Sequence, residues 1–211
     1  MSKGKDIRGE LKVRPNVELQ DYSGPFKTDL RFTDFSRVAL AKIYMHTCEY
    51  MLTIMEYYQT WVVGKLGMDA MIQMLNDVWG NEEFLQKIMA SKKEFIGISG
   101  NDIEALAKDF QMDATALPYR YYECTHEMPF KDRFIYTFRR CRGVDVLEPI
   151  DEELLGKTCR ATCPPAITAT ARAYNPNIEV KILKIPPRTQ KMKDDGICCQ
   201  WEFTYKSKKS K

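Results

Sequence analysis

The sequence predicts an α+β domain in which an N-terminal helical hairpin packs on a C-terminal antiparallel sheet with short helices. Two observations support this fold class. Up to about residue 112, apolar residues recur every three or four positions, which is the helical spacing. From residue 117 onward, short segments rich in aromatic and β-branched residues alternate with turn residues, as strands do. The length of 211 residues fits one such domain.

The predicted organisation has three parts. Residues 1–32 form an irregular N-terminal arm, because proline and glycine interrupt them and no apolar period persists. Residues 33–205 form a single α+β domain, with a helical half (33–112) and a sheet half (117–205). The last six residues, "KSKKSK" (206–211), are a basic tail that is typical of a solvated chain end.

Three helices are predicted in the helical half. A long helix begins at Thr33 or Asp34, either of which is a suitable N-cap, and ends at the glycines of "GKLG". A second helix runs from about residue 68 to residue 93 and forms an antiparallel hairpin with the first. A third, short helix begins at Asn101, because Glu104 follows three residues later as in a capping box.

The sheet half begins with a predicted β-hairpin. Its strands are "YRYYECTHEM" and "DRFIYTFRRC", and "PFK" forms the turn. A helix then opens at Asp151 and is stopped by Pro164–Pro165, and a further helix begins on the proline of "PAITATARAY". Two strands follow, "IEVKILKI" and "ICCQWEFTY".

Composition excludes several function classes. The net charge of +3 is too small to indicate a nucleic-acid partner, and no apolar run is long enough to span a bilayer. The N-terminus has no apolar signal region, so a cytoplasmic protein is expected. No P-loop, GxGxxG, HExxH or GxSxG motif occurs, so no nucleotide cofactor is expected. The methionine- and tyrosine-rich hairpin would support a homodimer.

Seven cysteines are the main chemical signal, and five of them lie after residue 140. Cys159 and Cys163 are four residues apart, so a helix places both thiols on one face. With Cys141 and Cys199 they make a set of four, which by number fits zinc or iron. Three interpretations stay open at this point: a metal site, a reactive thiol, or reduced cysteines that only pack.

The last strand separates its two adjacent cysteines. Ile197, Cys199, Trp201, Phe203 and Tyr205 alternate onto one apolar face, so Cys199 is expected to point to the core or to a pocket. Cys198 is expected to point away from it.

His126 and Glu123 are candidate proton carriers on the first predicted strand. An imidazole titrates near neutral pH and could serve as a general base in hydrolysis. A structural histidine with satisfied hydrogen bonds is the alternative interpretation of His126.

The order of motifs resembles a known family. An aromatic strand ends in "RRC", and "LLGKTCRATC", "EVKILKI" and "DGICCQWEF" follow, after a hairpin with "WVVGKLGMDAMIQMLNDVW". Over roughly residues 35–205 this order resembles the L-2-amino-thiazoline-4-carboxylic acid hydrolase-like family. That family is similar to the vinyl-reductase-type small-molecule-binding domains.

The resemblance implies a small-molecule substrate and hydrolytic opening of a ring that contains a C–N or C=N bond, without an organic cofactor. It places the family's cysteine positions on Cys141, Cys159, Cys163 and Cys199. The expected enzyme uses a thiolate of Cys159 or Cys163, or a cysteine-bound metal, and His126 or Glu123 moves protons. The alternative is a non-catalytic module that binds an apolar small molecule and whose cysteines hold a structural metal. A third hypothesis is an iron–sulfur or redox protein.

Overall fold

The computed structural model describes residues 17–114 and 121–205. These residues contain seven α-helices and a four-stranded antiparallel sheet. Four of the helices precede the first strand and three lie between strands, so the predicted α+β class is confirmed. The predicted features in residues 1–16, 115–120 and 206–211, which include the basic tail, lie outside the described residues. The chain divides into two compact units, residues 1–52 and 53–211. The division falls inside the first helix, and the single domain of 33–205 stays a prediction.

The elements follow one another in this order: α1 (Arg37–Leu66), α2 (Met68–Trp79), α3 (Glu82–Ile96), α4 (Ile103–Gln111), β1 (Tyr122–Phe130), β2 (Arg133–Cys141), α5 (Arg142–Leu147), α6 (Glu152–Tyr174), β3 (Ile178–Lys184), α7 (Gln190–Asp194) and β4 (Cys199–Tyr205). Within the described ranges, no helix is both long enough and apolar enough to cross a bilayer.

In the first unit, the described chain before α1 is irregular, as predicted, and is held by a few backbone contacts. The N–H of Leu19 donates to the carbonyl of Asp34 at 2.7 Å, and the N–H of Ser36 donates to the carbonyl of Leu19 at 2.9 Å. The Asp34 carboxylate is fully buried and accepts from the N–H of Arg31 at 2.8 Å. This carboxylate therefore fixes the approach of the chain to α1.

α1 begins at Arg37 rather than at Thr33 or Asp34, because a short 3-10 helix (Phe32–Asp34) comes before it. α2 begins at Met68 as predicted, and the later helices differ from the prediction. α1 ends at Leu66, as expected from the glycines, and Gly67 follows with φ 90°, a conformation that favours glycine. The single helix predicted over 68–93 is wrong, because Asn81 interrupts it. Its side chain accepts from the N–H of Phe84 at 3.0 Å and begins α3 as an N-cap. α4 is capped by Asp102 rather than by Asn101.

The sheet has the strand order β1-β2-β4-β3, and every neighbouring pair is antiparallel. One face carries the main core, in which Phe134, Tyr136, Trp201 and Phe203 are almost fully buried. Phe110 of α4 lies on this face, with its ring centroid 4.9 Å from that of Tyr136. The hairpin turn falls at residues 131–132, so only the lysine of the predicted turn "PFK" belongs to it, because β1 continues to residue 130.

α6 is one helix of 23 residues that contains both Pro164 and Pro165. The prediction that these prolines stop it, and that a second helix follows, is wrong. Pro165 has no N–H to donate to the carbonyl of Ala161. The side-chain amide of Asn76 on α2 donates to that carbonyl instead, at 3.0 Å. A neighbouring helix thus replaces one of the two hydrogen bonds that the prolines remove.

The N-terminal part of α6 is fixed by a close approach to the loop after β3. Gly156 is buried, and a Cβ atom at this position would lie 2.6 Å from Cδ of Pro187. Only glycine therefore lets the helix and the loop come this close. Leu155 beside it is fully buried, and Ala169 and Ala171 bury the other end of the helix.

We predict that Asn76→Ala lowers the free energy of unfolding by about 1 kcal/mol, because it removes the side-chain donor to the Ala161 carbonyl, to which Pro165 cannot donate. In a Pro165→Ala background the new N–H of residue 165 can supply that bond, so the same substitution should cost clearly less. Urea unfolding of the four proteins of this double-mutant cycle measures both effects. An equal loss in both backgrounds would contradict the account of α6.

Candidate functional site

Five of the seven cysteines gather where β2 ends, β4 begins and α6 passes over the sheet. Cys141 and Cys159 pack with Cys198 on a small core formed with Val144 and Leu155. Cys163 and Cys199 pack against the main core. We call these five residues the thiol cluster. It contains all four cysteines that the sequence pointed to, together with Cys198.

The topology explains this arrangement. Cys141 is the last residue of β2, and Cys199 is the first residue of β4, where it pairs with Phe138 of β2. α5 follows β2 directly and packs on α6, which carries Cys159 and Cys163. Tyr122, which pairs with Cys141, also lies near the cluster, since the charges of Cys141 and Cys163 raise its pKa beyond the effect of burial.

Cys159 and Cys163 form a hydrogen-bonded pair on one face of α6. The hydrogen bond from the Cys159 thiol lowers the pKa of Cys163 against the opposing effect of burial. The same hydrogen bond, followed by burial, raises the pKa of Cys159 far above that of an ordinary thiol. This hydrogen bond therefore favours ionisation at Cys163 over ionisation at Cys159.

The other thiols of the cluster are neutral at physiological pH. Burial raises the pKa of Cys141 to about 12 and that of Cys199 well above its ordinary value. The indole N–H of Trp201 lies 3.3 Å from the Cys199 sulfur. Cys163 is thus the one member of the cluster whose pKa is lowered, and a hydrogen bond within the protein causes the difference.

Cys198 is not the outward-facing residue that strand alternation predicted. It lies just before β4, its side chain is buried, and its thiol donates to the carbonyl of Arg139 at 3.2 Å. The prediction failed because regular alternation begins only at Cys199. The separation of the two cysteines is nevertheless real, because they pack on different core clusters.

An ion pair borders the cluster. Arg142, directly after Cys141, donates to Glu56 of α1 at 2.8 Å, and this hydrogen bond raises the pKa of the guanidinium. Tyr121 and Thr53 are joined by a hydrogen bond of 2.9 Å between their hydroxyls. These contacts attach the last part of α1 to the start of β1 and the end of β2.

His126 lies apart from the thiol cluster. It pairs with Tyr136 on β2, one row along the sheet from the row that contains Cys124, Phe138 and Cys199. Two strand spacings across and two residues along separate the backbones of His126 and Cys199 by roughly 12 Å. Glu123 is exposed and points to the opposite face of β1. The fold therefore does not bring these two candidates to the thiols.

His126 borders a cavity of about 160 Å³ between α4 and the edge of the sheet. Its ring stacks on Tyr136 with centroids 4.9 Å apart, and it donates to the carbonyl of Phe110. Nε2 is buried and has no hydrogen-bond partner in the described part of the chain. No cysteine lines this cavity, whose walls come from Glu104, Ala107, Lys108, Gln111, His126, Glu127, Met128 and Phe134.

Across residues 17–114 and 121–205, no group of three or more His, Cys, Asp or Glu side chains is placed so that it could hold a metal ion. As they stand, the cysteines therefore do not fit a zinc or iron ion, although they lie in one region. The four-cysteine site of Cys141, Cys159, Cys163 and Cys199 stays a prediction.

Sequence reasoning missed the residues that surround the thiols. Tyr136 forms a hydrogen bond with Cys124, whose pKa burial raises to about 11. Tyr122, Cys124 and His126 alternate on β1, and strand parity does predict from the sequence that this ring and this thiol share one face with the histidine. Nothing in the local sequence of α1 marks Glu56 as the partner of Arg142.

Comparisons with known proteins do not extend these observations. No protein-family model matches the chain, and no curated protein is significantly similar to it. The resemblance to the L-2-amino-thiazoline-4-carboxylic acid hydrolase-like family stays a prediction.

We predict that Cys159→Ala moves the alkylation of Cys163 to higher pH, because the Cys163 thiolate loses the hydrogen bond that stabilises it. The measurement is the iodoacetamide labelling rate of Cys163 as a function of pH, followed by peptide mass spectrometry. Cys124→Ala is the matched control, since Cys124 bonds to Tyr136 and not to this pair. If the pH midpoint of Cys163 labelling is unchanged in Cys159→Ala, or shifts equally in the control, the hydrogen bond from Cys159 does not lower the pKa of Cys163.

We predict that acid destabilises the protein partly through His126. Burial lowers the pKa of this imidazole in the folded state. Between that pKa and the unfolded value of about 6.5, the unfolded chain binds more protons, so stability falls as the pH drops below neutrality. Urea unfolding at about pH 7.5, 6.5 and 5.5 should show a smaller decline for His126→Gln than for the wild type. His46→Gln, at an exposed position, should decline like the wild type.

Proposed function

We propose that the protein is a cysteine-dependent hydrolase that opens a C–N bond in a small cyclic amide or amidine, with Cys163 as the nucleophile. The hydrogen-bonded pair of Cys159 and Cys163 on one face of α6 supports this proposal. A thiolate is the reactive form of cysteine, and the neighbouring thiol holds a proton beside it that the leaving nitrogen can take.

In the first step the Cys163 sulfur attacks the ring carbon that is doubly bonded to oxygen or nitrogen. A sulfur–carbon bond forms, the ring C–N bond breaks, and the leaving nitrogen takes the proton of Cys159. The opened molecule is then held on Cys163 as a thioester or thioimidate, and Cys159 is left as a thiolate.

In the second step water completes the hydrolysis. The water oxygen bonds to the same carbon while Cys159 takes one of its protons, and the carbon–sulfur bond breaks with its electron pair staying on Cys163. The product gains one water in total, and both thiols return to their first state. No oxidant or organic cofactor is needed, and neither His126 nor Glu123 takes part.

A cytoplasmic location belongs to the same proposal. All seven cysteines are free. The proposed reaction requires reduced thiols, and a reducing compartment keeps them in that state.

A second candidate function is a small-molecule-binding module with structural zinc or iron. The gathering of Cys141, Cys159, Cys163 and Cys199 in one region favours it, together with the cavity beside His126. Against it stands the placement of the sulfurs, which would have to move to about 2.3 Å from a common ion.

The test is a hydrolysis assay of the full-length protein with a panel of small cyclic amidines, cyclic amides and 2-amino-thiazolines, with mass spectrometry to detect the gain of one water. We expect Cys163→Ser to lower kcat/KM by at least about a thousandfold, since the nucleophile is lost. Cys159→Ser should lower kcat by roughly a hundredfold or more, as the loss of a general acid does.

The matched control is Cys198→Ser, because serine keeps a hydroxyl that can donate to the carbonyl of Arg139. It should retain activity. Full activity of Cys163→Ser would refute the proposal. The proposal would also be refuted if no substrate were turned over and the protein, purified without added metal, contained one equivalent of zinc or iron. That result would support the binding module instead.

A further inference from the structure

The part of α1 from Thr53 to Leu66 carries two apolar faces. Val62 is buried and Met55 and Val63 are half-buried, as on any helix that packs against its own domain. Five large apolar side chains are nevertheless exposed, of which Leu66 is at the end of the helix and the other four lie on one side of it: Ile54 is 37%, Tyr57 75%, Tyr58 66% and Trp61 59% accessible. We call these four residues the aromatic stripe.

The stripe is a continuous surface on one side of the helix. At roughly 100° per residue, residues 54, 57, 58 and 61 fall within an arc of about 100°, and residues 55, 59, 62 and 63 fall on the other side. The stripe therefore cannot be the margin of the buried face. It is a second apolar face that the rest of the described chain leaves open to solvent.

The surroundings of the stripe suit contact with an apolar partner. Glu56 is the only charged residue between Thr53 and Gly64. Its carboxylate lies on another side of the helix, where it pairs with Arg142 at 2.8 Å. Helices that lie on membrane surfaces flank their apolar face with lysine and arginine, and this segment has none before Lys65. The charge pattern therefore favours a protein surface over a lipid surface.

We propose that the aromatic stripe is the interface of a homodimer, in which α1 pairs antiparallel with α1 of a second copy. The spacing of the stripe is the same in both directions, since residues 54, 57, 58 and 61 are symmetric about the midpoint between 57 and 58. A two-fold axis at that midpoint places Ile54 opposite Trp61 of the second copy and Tyr57 opposite Tyr58 of the second copy. Each stripe residue thus meets another, as an isologous interface requires.

The area is sufficient for the centre of such an interface. The three aromatic side chains expose 75%, 66% and 59% of their surface. At about 200 Å² for each side chain this is roughly 400 Å². A dimer interface of standard size covers about 800 Å² on each partner and is about 65% apolar when two identical chains meet. The stripe therefore supplies most of the apolar centre, and the tyrosine hydroxyls can stay hydrated at its rim.

Sedimentation equilibrium of the full-length protein from about 1 to 100 µM tests the proposal, because interfaces of this size give micromolar or tighter dimers. We expect a dimer for the wild type. The double variant Tyr57→Lys/Trp61→Lys should weaken association at least tenfold while circular dichroism stays unchanged. Phe95→Lys is the matched control: this residue of α3 is 69% exposed but lies outside the stripe, and its variant should remain dimeric.

The pairing itself is tested by mixing two single variants. Tyr57→Lys and Tyr58→Glu should each be monomeric at concentrations where their mixture forms a heterodimer, because the two substituted side chains, of opposite charge, then face each other across the interface. A monomeric wild type at about 100 µM overturns the proposal, whether the stripe then binds vesicles or another protein. Dimers that resist the double substitution also overturn it, and a mixture that stays monomeric rejects the antiparallel pairing. These results do not depend on hydrolase activity.

Discussion

The hydrogen bond from Asn76 to the carbonyl of Ala161 is the contact on which the rest of the described C-terminal unit depends. Two consecutive prolines should end α6 in its middle, and a helix that ended there would leave the aromatic face of the sheet uncovered beyond it. Because α2 supplies the donor that Pro165 lacks, α6 stays continuous over 23 residues. Both ends of α6 then bury apolar side chains, and Cys159 and Cys163 come to lie beside the ends of β2 and β4.

The chemistry of the thiol cluster follows from two opposing effects. Burial disfavours a thiolate and keeps Cys141 and Cys199 protonated. A hydrogen bond from a neighbouring thiol favours a thiolate, and only Cys163 receives one within the cluster. The arrangement therefore distinguishes one cysteine among five through the four-residue spacing on a helix, which is visible in the sequence.

The sequence indicates which candidate side chains lie together where local geometry decides, but not where strand pairing decides. The spacing of Cys159 and Cys163 places both thiols on one helical face in any α-helix. His126 and Glu123 were grouped with them only because all four can move protons. Strand pairing puts His126 in the next row of the sheet and in a separate cavity, and strand parity turns Glu123 to the other face. Such distances depend on which strands are neighbours, and this information is absent from a local pattern.

By itself, the sequence determined the α+β class, the long first helix, the positions of the strands and the helical pairing of two cysteines, because each depends on periodicity or on capping within a few residues. Only the tertiary structure decided that α6 passes through two prolines, that Cys198 is buried and that Asn81 divides the predicted second helix. The first two depend on partners far away in the chain, such as Asn76 and the core around Leu155. Asn81 could either cap a helix or lie inside one, because asparagine does both, and tertiary packing determines which of the two occurs.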